Sequence, residues 1–397
     1  MSYTVLARRY RSQEFDEVVG QDAVARTLKN AIEQGRVAHA FLFVGTRGVG
    51  KTTMARILAK ALSGGSPEVD KAIMTGQDTD VIEIDAASNT SVDDARSLIA
   101  NSIYRPMRGK YKVYIIDEVH MLSNAAFNAL LKTLEEPPSH VKFILCTTES
   151  QKVPATIRSR CQRFDFRTLS TAEIAAHLKR VVEGESAKAE PDLLHAVARL
   201  AQGSMRDGLS VLDRLMAAAK PGETITVAML EELLGLPARE AVSSLVDALA
   251  SGEAPGALAI VDKMLATGTP IDQVIETLLD RLRDLMILSV CGRNTDLVDI
   301  SGEFREQSAT QAGRFDGAGL VHMIALCESV QRSLRSSVAP RALLDALIVR
   351  LAMTEKIADV AALLAGKGAT TSVTTRASPP PGAGERRTIA AGPSKKA

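Results

Sequence analysis

The first part of the chain alternates short apolar runs with segments of helical periodicity. The apolar runs are candidate strands, at residues 40–44, 80–84, 112–116, 141–146 and 163–166. Several are continuously apolar, as expected for strands that are buried on both faces of a parallel sheet. Residues 21–34 and 123–136 carry apolar side chains at helical spacing, and helical segments separate most of the strands. The pattern predicts an α/β fold with a parallel sheet and flanking helices.

The pattern changes near residue 168, and no convincing strand is predicted from Ser170 onward. Ser170 and Glu173 form a capping-box pattern. Helices are predicted at residues 171–183, 191–202, 205–219, 227–234, 238–251, 254–267, 270–290, 317–335 and 339–364. Gly235 and Pro237 indicate a break between two helical domains. The composition of the last residues, rich in Gly, Pro, Ser and Thr, predicts a disordered basic tail. The expected domains are 1–168, 169–235, 236–364 and the tail, 365–397.

Composition limits the possible function classes. The 397 residues are 46% apolar and 24% charged, with a net charge of +1, so nucleic-acid binding would need a local basic face. No apolar run is long enough to cross a membrane, and the N-terminus lacks the apolar region of a secretory signal. The isolated cysteines predict reduced thiols and a cytoplasmic protein. They are Cys146, Cys161, Cys291 and Cys327.

The segment "GTRGVGKT" fits the phosphate-loop pattern G-x-x-x-x-G-K-[ST]. Its glycines let backbone N–H groups turn inward around a phosphate chain, and the helix that begins near Lys51 favours the same anion. Lys51 is expected to reach the β- and γ-phosphates, and the Thr52 hydroxyl to bind Mg²⁺. The expected nucleotide contacts are Gly45, Thr46, Arg47, Gly48, Val49, Gly50, Lys51, Thr52 and Thr53.

An acidic pair, Asp117 and Glu118, follows a strongly apolar strand. Asp117 suits Mg²⁺ held through water, and Glu118 suits activation of an attacking water. An acid beside the metal ligand favours hydrolysis over transfer to an organic acceptor. Such a pair is often merely structural, and the phosphate loop upstream makes the catalytic interpretation the stronger one. The sequence names no partner for His120, so a packed or surface histidine is the favoured interpretation.

These motifs resemble the AAA+ ATPases, and three further stretches narrow the resemblance to clamp loaders. "FILCTTESQKVPATIRSRCQRFDF" is similar to a sensor 1 strand followed by a Ser-Arg-Cys motif. This implies that Thr148 is sensor 1 and that Arg160 is an arginine finger for a neighbouring subunit's ATP site. "GSMRDGLSVLD" resembles the sensor 2 helix, which implies that Arg206 touches the γ-phosphate in its own subunit. "ARRYRSQEFDEVVGQDAV" resembles the adenine-side segment, with the implied pocket residues Arg8, Tyr10, Arg11, Val18 and Val19.

Residues 3–360 resemble the gamma/tau family of bacterial DNA polymerase III clamp loaders, most strongly up to about residue 215. The resemblance implies an AAA+ nucleotide-binding domain, an all-α lid and an all-α collar. It also implies an ATPase, without a polymerase active site of its own, that uses ATP and Mg²⁺ to open the sliding clamp and load it on primer-template DNA. The implied partners are delta and delta-prime subunits, other copies of itself, the clamp and DNA bound independently of sequence. The implied location is the cytoplasm, at replication forks on the nucleoid.

The chain departs from that family in one place and resembles its short form in another. The family usually carries a four-cysteine zinc module after the phosphate-loop helix, but here "ALSGGSPEVDKAIMTGQDTDVIEID" contains neither Cys nor His. Because structural Zn²⁺ needs a closed shell of such ligands, we predict no zinc and a shortened helix–loop instead. The tau-specific C-terminal domains are also absent, so the chain is expected to end like the short gamma form or to be a truncated one.

Two segments are candidates for DNA contact. "DAASNTSVDDAR", residues 85–96, is predicted to open a helix whose N–H groups hold a template phosphate. Some relatives carry basic residues where Asn89 and Ser91 stand here, and Arg96 keeps its charge. For a second, basic group a solvated loop is the favoured interpretation. Its members are Arg105, Arg108, Lys110 and Lys112.

Other functions remain open at this point. The chain could be another AAA+ DNA-processing ATPase, such as a replication factor C small subunit or a Holliday-junction motor, and clamp-dependent ATPase activity separates these. A non-hydrolysing ATP-binding scaffold is a second class, against which Lys51, Asp117 and Glu118 argue. A P-loop kinase is a third, but it would need neither Arg160 nor the collar.

Overall fold

Five parallel strands form one sheet in the computed structural model, which describes residues 3–63, 65–88, 99–295, 297–298, 302–334 and 336–354. The strand order is β2-β3-β4-β1-β5. The strands are β1 (Ala40–Val44), β2 (Val81–Asp85), β3 (Lys112–Asp117), β4 (Val141–Thr147) and β5 (Gln162–Asp165). The predicted parallel sheet is confirmed, and each strand lies within one residue of its predicted bounds.

Strand β1 occupies an interior position because both of its faces are apolar. All five of its residues are buried. Phe41 and Phe43 point into one apolar cluster, and Ala40, Leu42 and Val44 point into another on the opposite face of the sheet. A strand without a polar face must be covered on both sides, and the carboxyl end of β1 lies between those of β4 and β5.

Helices cover both faces of the sheet. They are α2 (Asp22–Glu33), α3 (Lys51–Ser63), α4 (Pro67–Thr75), α5 (Asn124–Glu135) and α6 (Ala155–Arg158). A short helix at the start of the chain, α1 (Leu6–Arg9), instead packs through Leu6 on the helices that follow the sheet. α2 and α5 confirm the helices predicted at 21–34 and 123–136. The Ser123 hydroxyl caps α5 by accepting a hydrogen bond from the Ala126 N–H at 3.2 Å. The short α4 stands in the interval where the zinc module would be expected.

The described residues after Leu169 are mostly helical. The helices are α7 (Thr171–Gly184), α8 (Pro191–Leu200), α9 (Met205–Ala218), α10 (Val227–Leu234), α11 (Arg239–Ala250), α12 (Ala254–Ala266), α13 (Ile271–Cys291), α14 (Gly302–Ala312), α15 (Gly317–Leu334) and α16 (Pro340–Ala352). Ser170 and Glu173 form the predicted capping box at the start of α7. The end predicted for the last helix, near residue 364, and the tail at 365–397 lie outside the described residues.

Two predictions for this region are wrong. The parallel pair β6 (Lys188–Ala189) and β7 (Thr224–Ile225) contradicts the expectation of no strand beyond Ser170. Strands of two residues are too short to produce a period-two pattern. Helix α14 was not predicted because its sequence, "GEFREQSATQA", has few apolar positions and no clear helical stripe.

The helices bury two separate apolar clusters. We call the group formed by α7 to α10 the lid; its core also includes Leu6 of α1. We call the group formed by α11 to α16 the collar; its core runs from Val242 to Ala352. An ion pair of 3.0 Å between Arg199 of the lid and the buried Asp284 of the collar joins the two groups. No helix in the described part of the chain is long and apolar enough to cross a bilayer.

All four cysteines have free thiols. Cys146 and Cys327 are buried, Cys161 is half-buried and Cys291 is exposed. Burial raises the pKa of the Cys161 and Cys327 thiols to about 12. These two thiols therefore remain protonated and unreactive at neutral pH.

Candidate nucleotide-binding site

The phosphate loop connects β1 to α3 and is shaped by glycine. Gly48 and Gly50 have φ values of +77° and +99°, a region of backbone space that other residues rarely adopt. Lys51 is 6% exposed, and its ammonium donates hydrogen bonds to the backbone oxygens of Gly45 (2.8 Å) and Thr46 (2.7 Å). Burial lowers the pKa of Lys51. The loop thus holds a largely desolvated cation against its own backbone, beside the N–H groups that are expected to bind phosphate.

The two residues predicted to bind Mg²⁺ lie in direct contact. The Thr52 hydroxyl, in the first turn of α3, donates to Asp117 Oδ2 at 2.6 Å. Asp117 is the last residue of β3, whose carboxyl end lies on the same sheet edge as the phosphate loop. Hydroxyl and carboxylate oxygens suit Mg²⁺, which usually takes few protein ligands beside waters and substrate phosphates. In the described residues no group of three or more His, Cys, Asp or Glu side chains could hold a metal ion.

Glu118 has an unusual backbone and a defined side-chain contact. Its φ of 46° and ψ of 44° lie in the left-handed region, which is uncommon for a residue other than glycine and is often found at functional sites. The Thr148 hydroxyl, just after β4, donates to Glu118 Oε2 at 3.2 Å. The structure therefore brings together the acid proposed to activate water and the residue proposed as sensor 1.

Sequence reasoning missed the surroundings of His120. Its side chain is only 7% exposed, with Nδ1 lying 3.0 Å from Thr147 Oγ1 and 3.5 Å from Glu118 Oε2. On the other side of the ring, Nε2 lies 3.5 Å from Glu149 Oε1. The interpretation of a packed histidine is confirmed, but its neighbours include the catalytic candidate. The one feature of the sequence that could have indicated this is that His120 stands two residues after Glu118.

The cleft beside the loop is lined by both apolar and charged residues. Tyr10, Arg11, Val18 and Val19 line it. Their contact with an adenine base stays a prediction. Burial and the neighbouring charge of Arg56 lower the pKa of Arg11 to about 10. The sequence did not indicate three further lining residues, which are His177 and Leu209 of the lid and Leu169 just before it. Burial also lowers the pKa of His177.

Arg8 lies elsewhere. It lines a neighbouring basic cavity of about 400 Å³ together with Arg11, Lys60 and Lys71. Arg11 lines both spaces. Of the predicted base-pocket set, Arg8 is therefore the residue that is not found among the cleft's lining residues.

The lid is docked on the phosphate loop. The Met205 N–H donates to the Gly48 backbone oxygen at 3.1 Å, and the Ser204 side chain lies directly against Gly48. Arg206, in the first turn of α9, lines the cleft. The position implied for sensor 2 is therefore beside the loop of the same chain.

Arg160 is not among the residues that line its own cleft. It follows α6, and its guanidinium donates to Glu135 Oε1 at 2.5 Å and to the Thr156 backbone oxygen at 2.5 Å. The Arg160 side chain is 33% exposed and that of Glu135 is 48% exposed. The guanidinium thus lies near the surface, in a contact that solvent can enter.

Only some of the residues that are candidates for DNA contact lie in the part of the chain that the structure describes. Asn89, Ser91 and Arg96 lie outside the described residues. In the basic group, Arg108 pairs with Asp78 at 2.9 Å and Lys112 donates to the Asn101 backbone oxygen at 2.8 Å. Arg105 and Lys110 are exposed, and Lys110 lies over the ring of its neighbour Tyr111. Arg105, Arg108 and Lys110 agree with the predicted solvated loop, whereas Lys112 is the half-buried first residue of β3 and does not.

A larger cavity, of about 510 Å³, lies between the lid and the collar, whereas the cleft at the phosphate loop encloses about 110 Å³. Size does not identify the reactive site here. The smaller cleft contains the phosphate-loop lysine, the acidic pair and the glycines with positive φ. We therefore assign the candidate site to the smaller cleft on its chemistry.

A phosphate loop after β1, an acidic pair after β3 and a helical lid docked on the loop define the AAA+ class of P-loop proteins. Three family models match successive parts of the chain. They are described as DNA polymerase III, delta subunit (residues 20–170), DNA polymerase III clamp loader subunit, ATPase lid domain (173–220), and DNA polymerase III subunits gamma and tau domain III (225–365).

The curated relatives are named as gamma or tau subunits of DNA polymerase III. DNA polymerase III subunit gamma of Buchnera aphidicola is 42% identical over 250 residues, covering 60% of this chain and 67% of that protein. Subunit tau of Escherichia coli is 48% identical over 258 residues, covering 63% of this chain and 40% of that protein. Subunit tau of Bacillus subtilis is 37% identical over 366 residues, covering 89% of this chain and 64% of that protein. The chain belongs to the gamma/tau family of DNA polymerase III clamp-loader subunits.

The chain spans only part of the length of these tau relatives. The chain aligns with 40% of the length of the Escherichia coli relative. Among solved structures, the Thermotoga maritima RuvB Holliday junction branch migration motor is 21% identical, with a TM-score of 0.44, covering 60% of this chain and 78% of that one.

Proposed function

We propose that this chain is an ATP-driven motor subunit of a DNA polymerase III clamp loader. In this role it binds and hydrolyses ATP at subunit interfaces, opens a sliding clamp and loads it on primer-template DNA. The observation that carries the proposal is the convergence of a phosphate-loop lysine, a 2.6 Å Thr52–Asp117 contact and a Thr148-bound Glu118 at one sheet edge. Family membership makes the clamp loader the setting for that site.

The residues of this chain divide the work at the triphosphate. Lys51 and the loop N–H groups bind the phosphates. Glu118 takes a proton from the attacking water, and Thr148 orients the Glu118 carboxylate. The oxygen donors Thr52 and Asp117 fit Mg²⁺ and would hold it, and that ion neutralises phosphate charge when it is bound. Tyr10, Arg11, Val18 and Val19 surround the base, whereas Arg8 lines the neighbouring basic cavity.

Two arginines complete the proposed site from different subunits. Arg206 contacts the γ-phosphate in its own subunit, which its place in the cleft supports. Arg160 contacts the triphosphate of a neighbouring subunit. Its position near the surface and away from its own cleft supports this role. An arginine finger supplied by a partner contributes ~10³–10⁵ in rate, so hydrolysis would depend on assembly.

The proposed assembly follows the domain boundaries expected at residues 168, 235 and 364. The collar would join delta, delta-prime and further copies of this chain, and the ATPase domain and lid would carry the nucleotide. DNA would be held through its phosphates, independently of sequence and with strong salt dependence. The proposed location is the cytoplasm, at replication forks. The absence of structural zinc stays a prediction, which metal analysis of the purified protein tests.

Reconstitution tests the proposal directly. The chain is combined with delta, delta-prime, clamp and primed DNA, and phosphate release is measured with each component omitted in turn. We expect turnover to require the partner subunits and to rise when clamp and primed DNA are both present. A scaffold would bind ATP without turnover, and another DNA-processing ATPase would be indifferent to the clamp. Full turnover by the isolated chain would contradict the shared site.

A further inference from the structure

The Glu118 carboxylate is held at one of its two oxygens. Thr148 Oγ1 donates to Oε2 at 3.2 Å, and His120 Nδ1 lies 3.5 Å from the same oxygen. Among the described residues, no protein hydrogen bond is made to Oε1. A carboxylate that is fixed by one oxygen and open at the other is arranged to present the open oxygen to water.

The His120 ring is itself held at both nitrogens. Thr147 Oγ1 lies 3.0 Å from Nδ1, and Glu149 Oε1 lies 3.5 Å from Nε2. The Thr147 hydroxyl oxygen already accepts the Glu149 N–H at 2.9 Å. The ring thus has the Thr147 hydroxyl and the Glu118 carboxylate on its Nδ1 side and the Glu149 carboxylate on its Nε2 side. The ring therefore cannot turn without losing a contact at each end.

The backbone between the two residues is also fixed. Val119, between Glu118 and His120, is fully buried in the core beneath the sheet edge. The Met121 N–H donates to the Glu118 backbone oxygen at 2.8 Å, which closes a tight turn. The distance between the carboxylate and the ring is therefore set by a rigid turn rather than by a flexible loop.

We propose that His120 is a positioning residue for Glu118. The ring forms the wall that keeps the carboxylate in contact with Thr148 and directs Oε1 toward the attacking water. This inference rests on the proposed function, in which Glu118 activates that water. His120 touches neither nucleotide nor water in this scheme and acts only through Glu118.

The test uses the full chain reconstituted with delta, delta-prime, clamp and primed DNA. His120→Ala removes the wall, and His120→Asn keeps a polar group near the Nδ1 position. We expect His120→Ala to lower kcat for ATP about 10- to 100-fold, at or below the lower limit of the ~10²–10⁴-fold contributed by a general base, because the base itself remains in place. ATP affinity, measured by equilibrium binding, should change less than about twofold because the phosphate loop is untouched. His120→Asn should recover part of the loss, and His322→Ala, an exposed collar histidine, should match the unsubstituted chain.

A double-substitution cycle separates positioning from a general structural role. Glu118→Gln should reduce turnover strongly, and its residual rate is measured in single-turnover experiments. Adding His120→Ala to Glu118→Gln should cause no further loss if the ring acts through the carboxylate. An unchanged kcat in His120→Ala, or an equal loss in both backgrounds, would overturn the inference. Absent turnover in the unsubstituted assembly, or full turnover in Glu118→Gln, would instead contradict the proposed function and the inference with it.

Discussion

Arg160→Ala should separate nucleotide binding from hydrolysis. The guanidinium contacts Glu135 and a backbone oxygen, and the two side chains of the pair are 33% and 48% exposed. A pair so open to solvent contributes ~0–1 kcal/mol to stability, so the substituted chain should fold with nearly the same Tm. Because Arg160 lies outside its own cleft, the affinity of the isolated chain for ATP should also be unchanged.

The effect should appear only in the assembled complex. Loss of an arginine finger should reduce turnover by ~10³-fold or more, which corresponds to about 4 kcal/mol in the activation barrier. Stimulated phosphate release by the reconstituted assembly measures this, and a fluorescent ATP analogue measures binding to the isolated chain. Arg163→Ala is the matched control, since Arg163 lies on the neighbouring strand and pairs with Asp165 at 2.6 Å on the surface. Normal stimulated turnover in Arg160→Ala would refute the shared site.

Three further predictions concern the loop, a cap and a buried acid. Gly48→Ala should weaken ATP binding at least tenfold in an equilibrium titration, because the added methyl would lie 2.0 Å from the Ser204 hydroxyl oxygen and φ is +77°. Arg167 holds the pKa of Glu173 at about 2, so the stability from this pair is present above pH ~4.3 and lost toward pH 2. Urea unfolding at pH 6 and pH 3 should therefore show a larger loss for the unsubstituted chain than for Glu173→Gln, by ~1 kcal/mol at most because the pair is partly exposed. Asp80→Asn should cost ~1–3 kcal/mol in the same assay, because the buried carboxylate accepts three backbone N–H bonds from one loop.

The sheet could be predicted because its strands bury both faces. Continuous apolar runs and the loop that follows β1 identified the strands and their parallel direction. The order of the strands could not be read in this way, since nothing in β3 or β4 alone says that they are neighbours. That adjacency brings the end of β4 to Glu118, and with it Thr147 and Thr148.

Sequence reasoning missed the site residues whose roles depend only on which distant parts of the chain they contact in the fold. His120 gains its partners only when β3 and β4 pair, and His177 reaches the cleft only when the lid docks on the loop. The opposite error occurred at Arg8. The family resemblance assigned it to the base pocket together with its sequence neighbours Tyr10 and Arg11, but in the structure Arg8 lines a different cavity. Motifs identify residues that act through local backbone shape, whereas packing between distant elements selects the rest.

The placement of the two halves of the proposed site constrains how copies can associate. One chain carries the phosphate loop at one place and Arg160 at another, and Arg160 is not among the residues lining that chain's cleft. If each finger completes a neighbour's site, the contact joins two different surfaces and is heterologous rather than self-complementary. Such a contact can repeat from subunit to subunit around an axis. Unless the ring closes, the subunit at one end has an Arg160 that reaches no neighbour, and the subunit at the other end has a cleft that receives no Arg160. In an open assembly the two end positions would therefore differ from the interior ones, because each end lacks one half of a shared contact.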